Sequence, residues 1–240
     1  MVLLVSCKKP KDNFEVIIPS PNGQLQLHFN LYNGEPYYLV YLDDEIIVSW
    51  SLLGFNNGNM AKSIPMEKSL QENLIITNTV PVNGEDYNDL LSDEKYNSLK
   101  VSLQNKGDQK LKYEVLFLIY NEKIIFWYEY EKELKTLQTN LIEHTELDLS
   151  SKNKSWLLAD TISMSDTLYT PVKFNSDLGI DLIFSEFNSK KNNGTYLLQR
   201  EGSISEFLIA EKSLDVADIR TNQSTIVKTT KNSIHIYRNK

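Results

Sequence analysis

The 240-residue chain has one cysteine, Cys7, and three histidines, His28, His144 and His235. A lone cysteine excludes an internal disulfide framework, and three scattered histidines leave no zinc-binding set. Basic residues are outnumbered, with 25 Lys and Arg against 32 Asp and Glu and a net charge of -7. A nucleic-acid binder needs a basic face to neutralise phosphates, so that class is excluded. No apolar run approaches the ~20 residues of a membrane-spanning helix. Phosphate-binding glycine loops, a Gly-x-Ser-x-Gly elbow and a His-Glu-x-x-His pair are all missing. What the chain does have is 41% hydrophobic residues, enough to build a core and to exclude disorder. Its length suits one large domain, since all-β sandwiches run to ~200–250 residues as single units.

The N-terminus turns on Cys7. Leu4-Val5-Ser6-Cys7 resembles the lipobox of bacterial lipoproteins, where small residues precede a cysteine whose thiol accepts a lipid. Lys8-Lys9-Pro10-Lys11-Asp12-Asn13 follows as a polar tether. Met1 to Leu4 is short for a signal peptide, which has ~7–15 apolar residues, so the start reads as truncated. Residues 1–13 are then a signal remnant and tether, and 14–240 a single domain. On this reading the mature chain is lipid-anchored in the bacterial periplasm or outer membrane. The alternative is an ordinary apolar N-terminus.

The dominant period along the chain is two. Leu25, Leu27, Phe29 and Leu31 alternate with polar residues, as on a strand with one buried face. Asn33-Gly34 reads as a turn, and Tyr37 to Tyr41, Asp43-Asp44 and Ile46 to Val48 as a hairpin. Leu99 to Leu103, Leu111 to Ile119 and Ile124 to Tyr130 form a three-strand meander. Further strands are expected at 137–149, 155–164, 179–187, 194–200, 204–210 and 224–237. A short helix is expected within 63–72, and the Asn- and Gly-rich stretch 54–62 is expected to be a loop. This pattern predicts an all-β sandwich or barrel.

Two constellations are candidates for function. In Glu143-His144-Thr145-Glu146, a continuous strand would put Glu143 and Thr145 on one face, and His144 and Glu146 on the other. Two glutamates of this kind suit a hard cation such as calcium, or simply face solvent. In Phe126-Trp127-Tyr128-Glu129-Tyr130, rings fall on both faces of one strand. Trp127 is a candidate for stacking on a sugar. The competing reading puts Phe126, Tyr128 and Tyr130 in the core and packs Trp127 within the protein.

The order of these segments resembles the N-terminal domain of glycoside hydrolase family 97. The residues that carry it begin with Ser20-Pro21-Asn22-Gly23, Asn33 to Tyr38 and Leu52-Leu53-Gly54-Phe55. Asn83-Gly84-Glu85 and Tyr96-Asn97-Ser98-Leu99 come next, then Phe117 to Tyr120 and Ile125 to Glu129. Glu143 to Leu147 with Trp156, Thr170-Pro171-Val172 and Gly179 to Phe187 complete the series. The likeness spans roughly residues 15 to 225. It implies a large β-sandwich of the galactose-mutarotase-like kind, which in the family packs on a catalytic barrel. It also implies that one sandwich glutamate helps bind calcium, here Glu143 with Glu146 as second choice.

Several positions depart from the family pattern: Asn83 stands for Trp, Ser98 for Glu, Trp127 for Arg and Leu147 for Phe. The sequence ends about where the barrel would start, so no catalytic residue is expected within it. The expected function is a stand-alone, non-catalytic carbohydrate-binding or accessory lipoprotein acting on an α-glucan or other glycan. The alternatives are a subunit of a split calcium-dependent α-glycosidase completed by a separately encoded barrel, and a folded remnant.

Overall fold

Alternating apolar residues and tight turns build an all-β structure. The computed structural model describes residues 14–57, 74–80, 94–105, 112–131, 141–143, 145–150, 155–158, 167–186, 196–199, 205–210, 226–228 and 231–238. They form nineteen strands. The first seven are β1 (Phe14–Pro19), β2 (Leu25–Tyr32), β3 (Glu35–Leu42), β4 (Glu45–Leu52), β5 (Phe55–Asn57), β6 (Leu74–Val80) and β7 (Asn97–Asn105). The middle six are β8 (Lys112–Ile119), β9 (Lys123–Glu131), β10 (Leu141–Glu143), β11 (Thr145–Asp148), β12 (Trp156–Leu158) and β13 (Thr167–Tyr169). The last six are β14 (Val172–Ser176), β15 (Ile180–Glu186), β16 (Tyr196–Gln199), β17 (Glu206–Ala210), β18 (Ile226–Lys228) and β19 (Asn232–Arg238).

Every pairing among them is antiparallel, and the strands form two principal layers. The larger is a nine-stranded sheet in the order β12-β14-β15-β19-β9-β8-β7-β6, with β18 also on β9. The facing layer contains two four-stranded sheets, β1-β2-β3-β4 and β11-β17-β16-β13. Ser51 on β4 accepts the amide of Asp148 at the end of β11, at 3.0 Å, and so ties these two sheets side by side. One hydrophobic cluster fills the space between the layers. Phe29 meets Phe117 with ring centroids 6.4 Å apart, Tyr38 meets Phe126 at 6.1 Å, and Phe174 meets Phe207 at 5.1 Å. Each fully buried Phe or Leu contributes ~1.5–3 kcal/mol, so this core far outweighs any single polar contact.

The hairpin chemistry is local. Asn33 and Gly34 have φ of 51° and 81°, and Asp43 and Asp44 have 48° and 67°. Two consecutive positive φ values define the turn that matches strand twist, and Asn, Asp and Gly are the residues that tolerate them.

Two expectations need correction. Phe55–Asn57, expected in a loop, is a strand paired with Leu141–Glu143. Its Asn-rich sequence carries no strand signal, and the pairing comes from a partner far along the chain. Within the expected strand 137–149, the described residues form two strands with different partners. β10 pairs with β5 while β11 pairs with β17, so the run is split between two partners. Leu74–Val80, for which the sequence pattern raised no expectation, is the strand at one end of the large sheet, with a register shift between Ile76 and Asn78. The helix expected within 63–72 and the first thirteen residues lie outside the described residues.

Candidate functional site

The segment carrying the candidate glutamates is fixed from three sides. The Tyr128 hydroxyl lies 2.5 Å from Thr145 Oγ1, and the Gly54 amide donates to the same Tyr128 oxygen at 2.9 Å. The Tyr38 hydroxyl donates to the Glu146 carbonyl at 2.7 Å. Ser49 Oγ donates to the Ser150 carbonyl just beyond the strand. These contacts follow from the alternation on β3 and β9. Tyr38 and Tyr128 point inward with their rings in the core, and their hydroxyls reach across the sandwich to β11.

Thr145 is buried and Glu146 half-buried, as the alternation predicts within β11. Glu146 Oε2 accepts the Leu52 amide at 3.2 Å. Nearby, the Tyr37 hydroxyl donates to Glu35 Oε2 at 2.6 Å. Burial, then the bond to Glu35 and the charges of Glu35 and Glu146, push the Tyr37 phenol well above its ordinary range. Glu143 pairs through its backbone with Phe55; its side chain and His144 lie outside the described residues, as does Cys7. Calcium takes six to eight oxygen ligands. No three His, Cys, Asp or Glu side chains converge as a metal site among the described residues.

Trp127 lies on the opposite face of β9 from the main core. It packs in a second cluster with Leu116, Leu118, Tyr120 and Ile125 and is 0% exposed. Its Nε1 donates to Glu129 Oε1 at 3.1 Å, and Lys231 Nζ sits 5.1 Å from the ring centroid. A sugar needs an open ring face, and Trp127 has none. Packing is the role its geometry satisfies.

A different cluster lies at the turn end of the large sheet. A cavity of about 330 Å³ is lined by Glu94, Lys95, Asn121, Glu122, Lys123, His235 and Tyr237. β19 pairs with β9 so that His235 sits opposite Lys123. The alternation Ile234-His235-Ile236-Tyr237 turns both isoleucines into the core and both rings to the other face. His235 Nδ1 is 3.1 Å from the Tyr237 hydroxyl, with the rings stacked at 6.1 Å. Lys123 Nζ bonds Glu94 Oε2 at 2.6 Å and lies 4.5 Å from the centre of the Tyr120 ring. Burial, reinforced by Lys123 and opposed by Glu94, holds the His235 imidazole below its ordinary pKa. No motif marks this cluster in the sequence. The signal was the polar face of the last alternating strand, but its partners come from 94–95 and the β8–β9 turn, distant in the chain.

Two stacked antiparallel layers on this scale, with no helix among the described residues, define the class: a large β-sandwich domain. The Glycosyl-hydrolase 97 N-terminal family model matches residues 18–211, and the chain belongs to that family. No curated protein matches the sequence. Among solved structures, it is similar to a glycoside hydrolase family 97 enzyme from Pseudoalteromonas sp. strain K8 in complex with acarbose, at 15% identity and a TM-score of 0.62. A variant of an enzyme of that family from the same strain, in complex with panose, also has a TM-score of 0.62 and 15% identity. A beta-arabinopyranosidase matches at 14% identity with a TM-score of 0.60. Identities this low establish the fold. Each match covers 92% of this chain, which spans 35% of the Pseudoalteromonas enzymes and 40% of the arabinopyranosidase.

Proposed function

We propose that this chain is a non-catalytic, carbohydrate-binding accessory domain in glycan utilisation. The observation that carries the reading is how its carboxylates are engaged. Glycoside hydrolysis needs two carboxyls facing across an open cleft, ~5–9.5 Å apart. Here Glu129 holds the Trp127 indole, Glu114 holds Lys100 and Ser102, and Asp181 holds Lys173. Asp177 binds Ser155, and Glu146 binds the Leu52 amide. These five carboxylates serve as structural partners that join neighbouring segments. A glycan is the ligand class because structural neighbours are enzymes in complex with acarbose and panose. Calorimetric titration of the purified chain with a broad panel of α-glucans and other polysaccharides tests this. A panel without any binder sinks it.

A second reading is favoured by the fixed position of β11. The chain docks on a separately encoded barrel and contributes Glu143, or Glu146, as one calcium ligand. Co-expression with such a barrel followed by size exclusion decides it, two independent peaks counting against it. We extend both readings to the N-terminus, where a lipid on Cys7 holds the protein at the bacterial periplasmic face or outer membrane. Loss of detergent-phase partitioning in Cys7→Ala is the expected result; unchanged partitioning removes this part.

A further inference from the structure

We propose that the cavity between the β8–β9 turn and the end of β19 is a binding site for a short neutral oligosaccharide. The inference rests on the carbohydrate-binding reading and gives it a location.

Charge selects the ligand class. The lining carries two lysines, Lys95 and Lys123, and two glutamates, Glu94 and Glu122. The formal charges cancel, and Lys123 is already neutralised by Glu94 at 2.6 Å. A charged ligand would meet both signs on this wall and would still lose its hydration. A sugar hydroxyl is both donor and acceptor. It suits a wall that offers ammonium donors beside carboxylate and amide acceptors.

Size and shape agree. About 330 Å³ lies at the small end of ligand pockets, ~300–1,000 Å³. That suits one or two pyranose rings. Tyr237 is 37% exposed and lies against His235, so part of an aromatic ring is open at the rim. Such a ring covers the C–H face of a sugar while polar neighbours take the hydroxyls. The walls are also held in place. Asn121 Oδ1 accepts the Asn22 amide at 3.0 Å, the Ile236 amide donates to the Glu122 carbonyl at 2.8 Å, and Lys123 is bonded to Glu94. A preformed site loses less on binding than one that must order its side chains.

The test uses the full chain and two readouts. Maltotriose, cellotriose and trigalacturonate are titrated calorimetrically, and the His235 ring resonances are followed by NMR. The expected result is binding of a neutral trisaccharide that shifts the His235 resonances, with the charged trimer at least tenfold weaker. Tyr237→Ala should weaken the neutral ligand by about tenfold, the scale of one lost aromatic contact. Its thermal unfolding should stay close to the parent, because the ring is partly exposed. Binding of a neutral trisaccharide that leaves His235 and Tyr237→Ala unaffected overturns the location alone and keeps the carbohydrate reading. No binding of any neutral glycan in the wider panel overturns both. Preference for trigalacturonate overturns the charge argument and with it the proposal.

Discussion

Tyr128 and Thr145 meet at 2.5 Å inside the sandwich, joining the middle of the large sheet to the first residue of β11. The Gly54 amide, 2.9 Å from the same phenolic oxygen, brings the turn between β4 and β5 into the contact. One hydroxyl therefore organises three segments far apart in the chain. Removing it takes the Gly54 amide's acceptor away, and an unsatisfied buried group costs ~1–3 kcal/mol. Tyr128→Phe should lower the free energy of unfolding by about 1–3 kcal/mol in urea titration, with little change in the m-value. A loss under about 0.5 kcal/mol, the scale of an ordinary surface substitution, contradicts this anchoring role.

Local chemistry was legible in the sequence, and long-range partnership was not. Asn33-Gly34 and Asp43-Asp44 announced their turns because positive φ restricts the residue choice at the turn itself. The meander from β7 to β9 was legible for the same reason, since each strand alternates and neighbours pair in order. Phe55–Asn57 was hidden because its strand character depends on Leu141–Glu143. Trp127 shows the limit of alternation. The pattern places its ring opposite the core face of β9 and is silent on whether that face is covered. Leu116, Leu118 and Tyr120 form a second apolar cluster around it. The cavity at His235 escaped for the converse reason, each lining residue being unremarkable until β19 lies beside β9.

Trp127 tests packing against sugar contact. A large buried aromatic truncated to alanine typically costs ~3–5 kcal/mol. Trp127→Ala also deprives Glu129, 6% exposed, of its indole donor. The expected outcome is a large loss of thermal stability. Trp127→Phe, which keeps most of the volume and removes the N–H, should cost ~1–3 kcal/mol and leave glycan affinity unchanged. A stable Trp127→Phe variant with glycan affinity reduced tenfold would show that the ring reaches ligand.

The tyrosines predict a split alkaline titration. Burial pushes the Tyr113 phenol well above its ordinary range, and burial with Glu35 does the same for Tyr37. Burial, with Tyr96 and Glu94 adding to it, pushes Tyr120 up to about 12. Raised folded-state values mean that these groups favour the fold below the unfolded value of about 10 and lose that contribution as the pH climbs through the folded values. At pH ~11 the folded chain should show phenolate absorbance short of its thirteen tyrosines by at least three, restored by denaturant. Full ionisation at that pH with the fold intact contradicts the burial of these hydroxyls.

Acid acts through two histidines, with the opposite sign. His28 lies on the outer face of the β1–β4 sheet, opposite Ile17 and Leu39, with its ring 4.8 Å from Tyr41. Its Nε2 is buried with no hydrogen-bond partner among the described residues. Burial lowers its pKa, and Glu15, 3.9 Å away, offsets this only in part. His235 is lowered by burial and by Lys123, with Glu94 opposing. In both cases the unfolded chain takes up the proton more readily than the fold. Their contribution is complete above the unfolded value of about 6.5 and is lost as the pH falls through the lowered folded values. Carboxylates titrate near 4, so a melting series from pH 7.5 to 5.5 isolates the histidines. The melting temperature should fall across that window, and His28→Gln and His235→Gln should each flatten the decline. A melting temperature that rises on acidification would mean that protonated His28 gains more from Glu15 than it loses by burial, reversing the assigned sign.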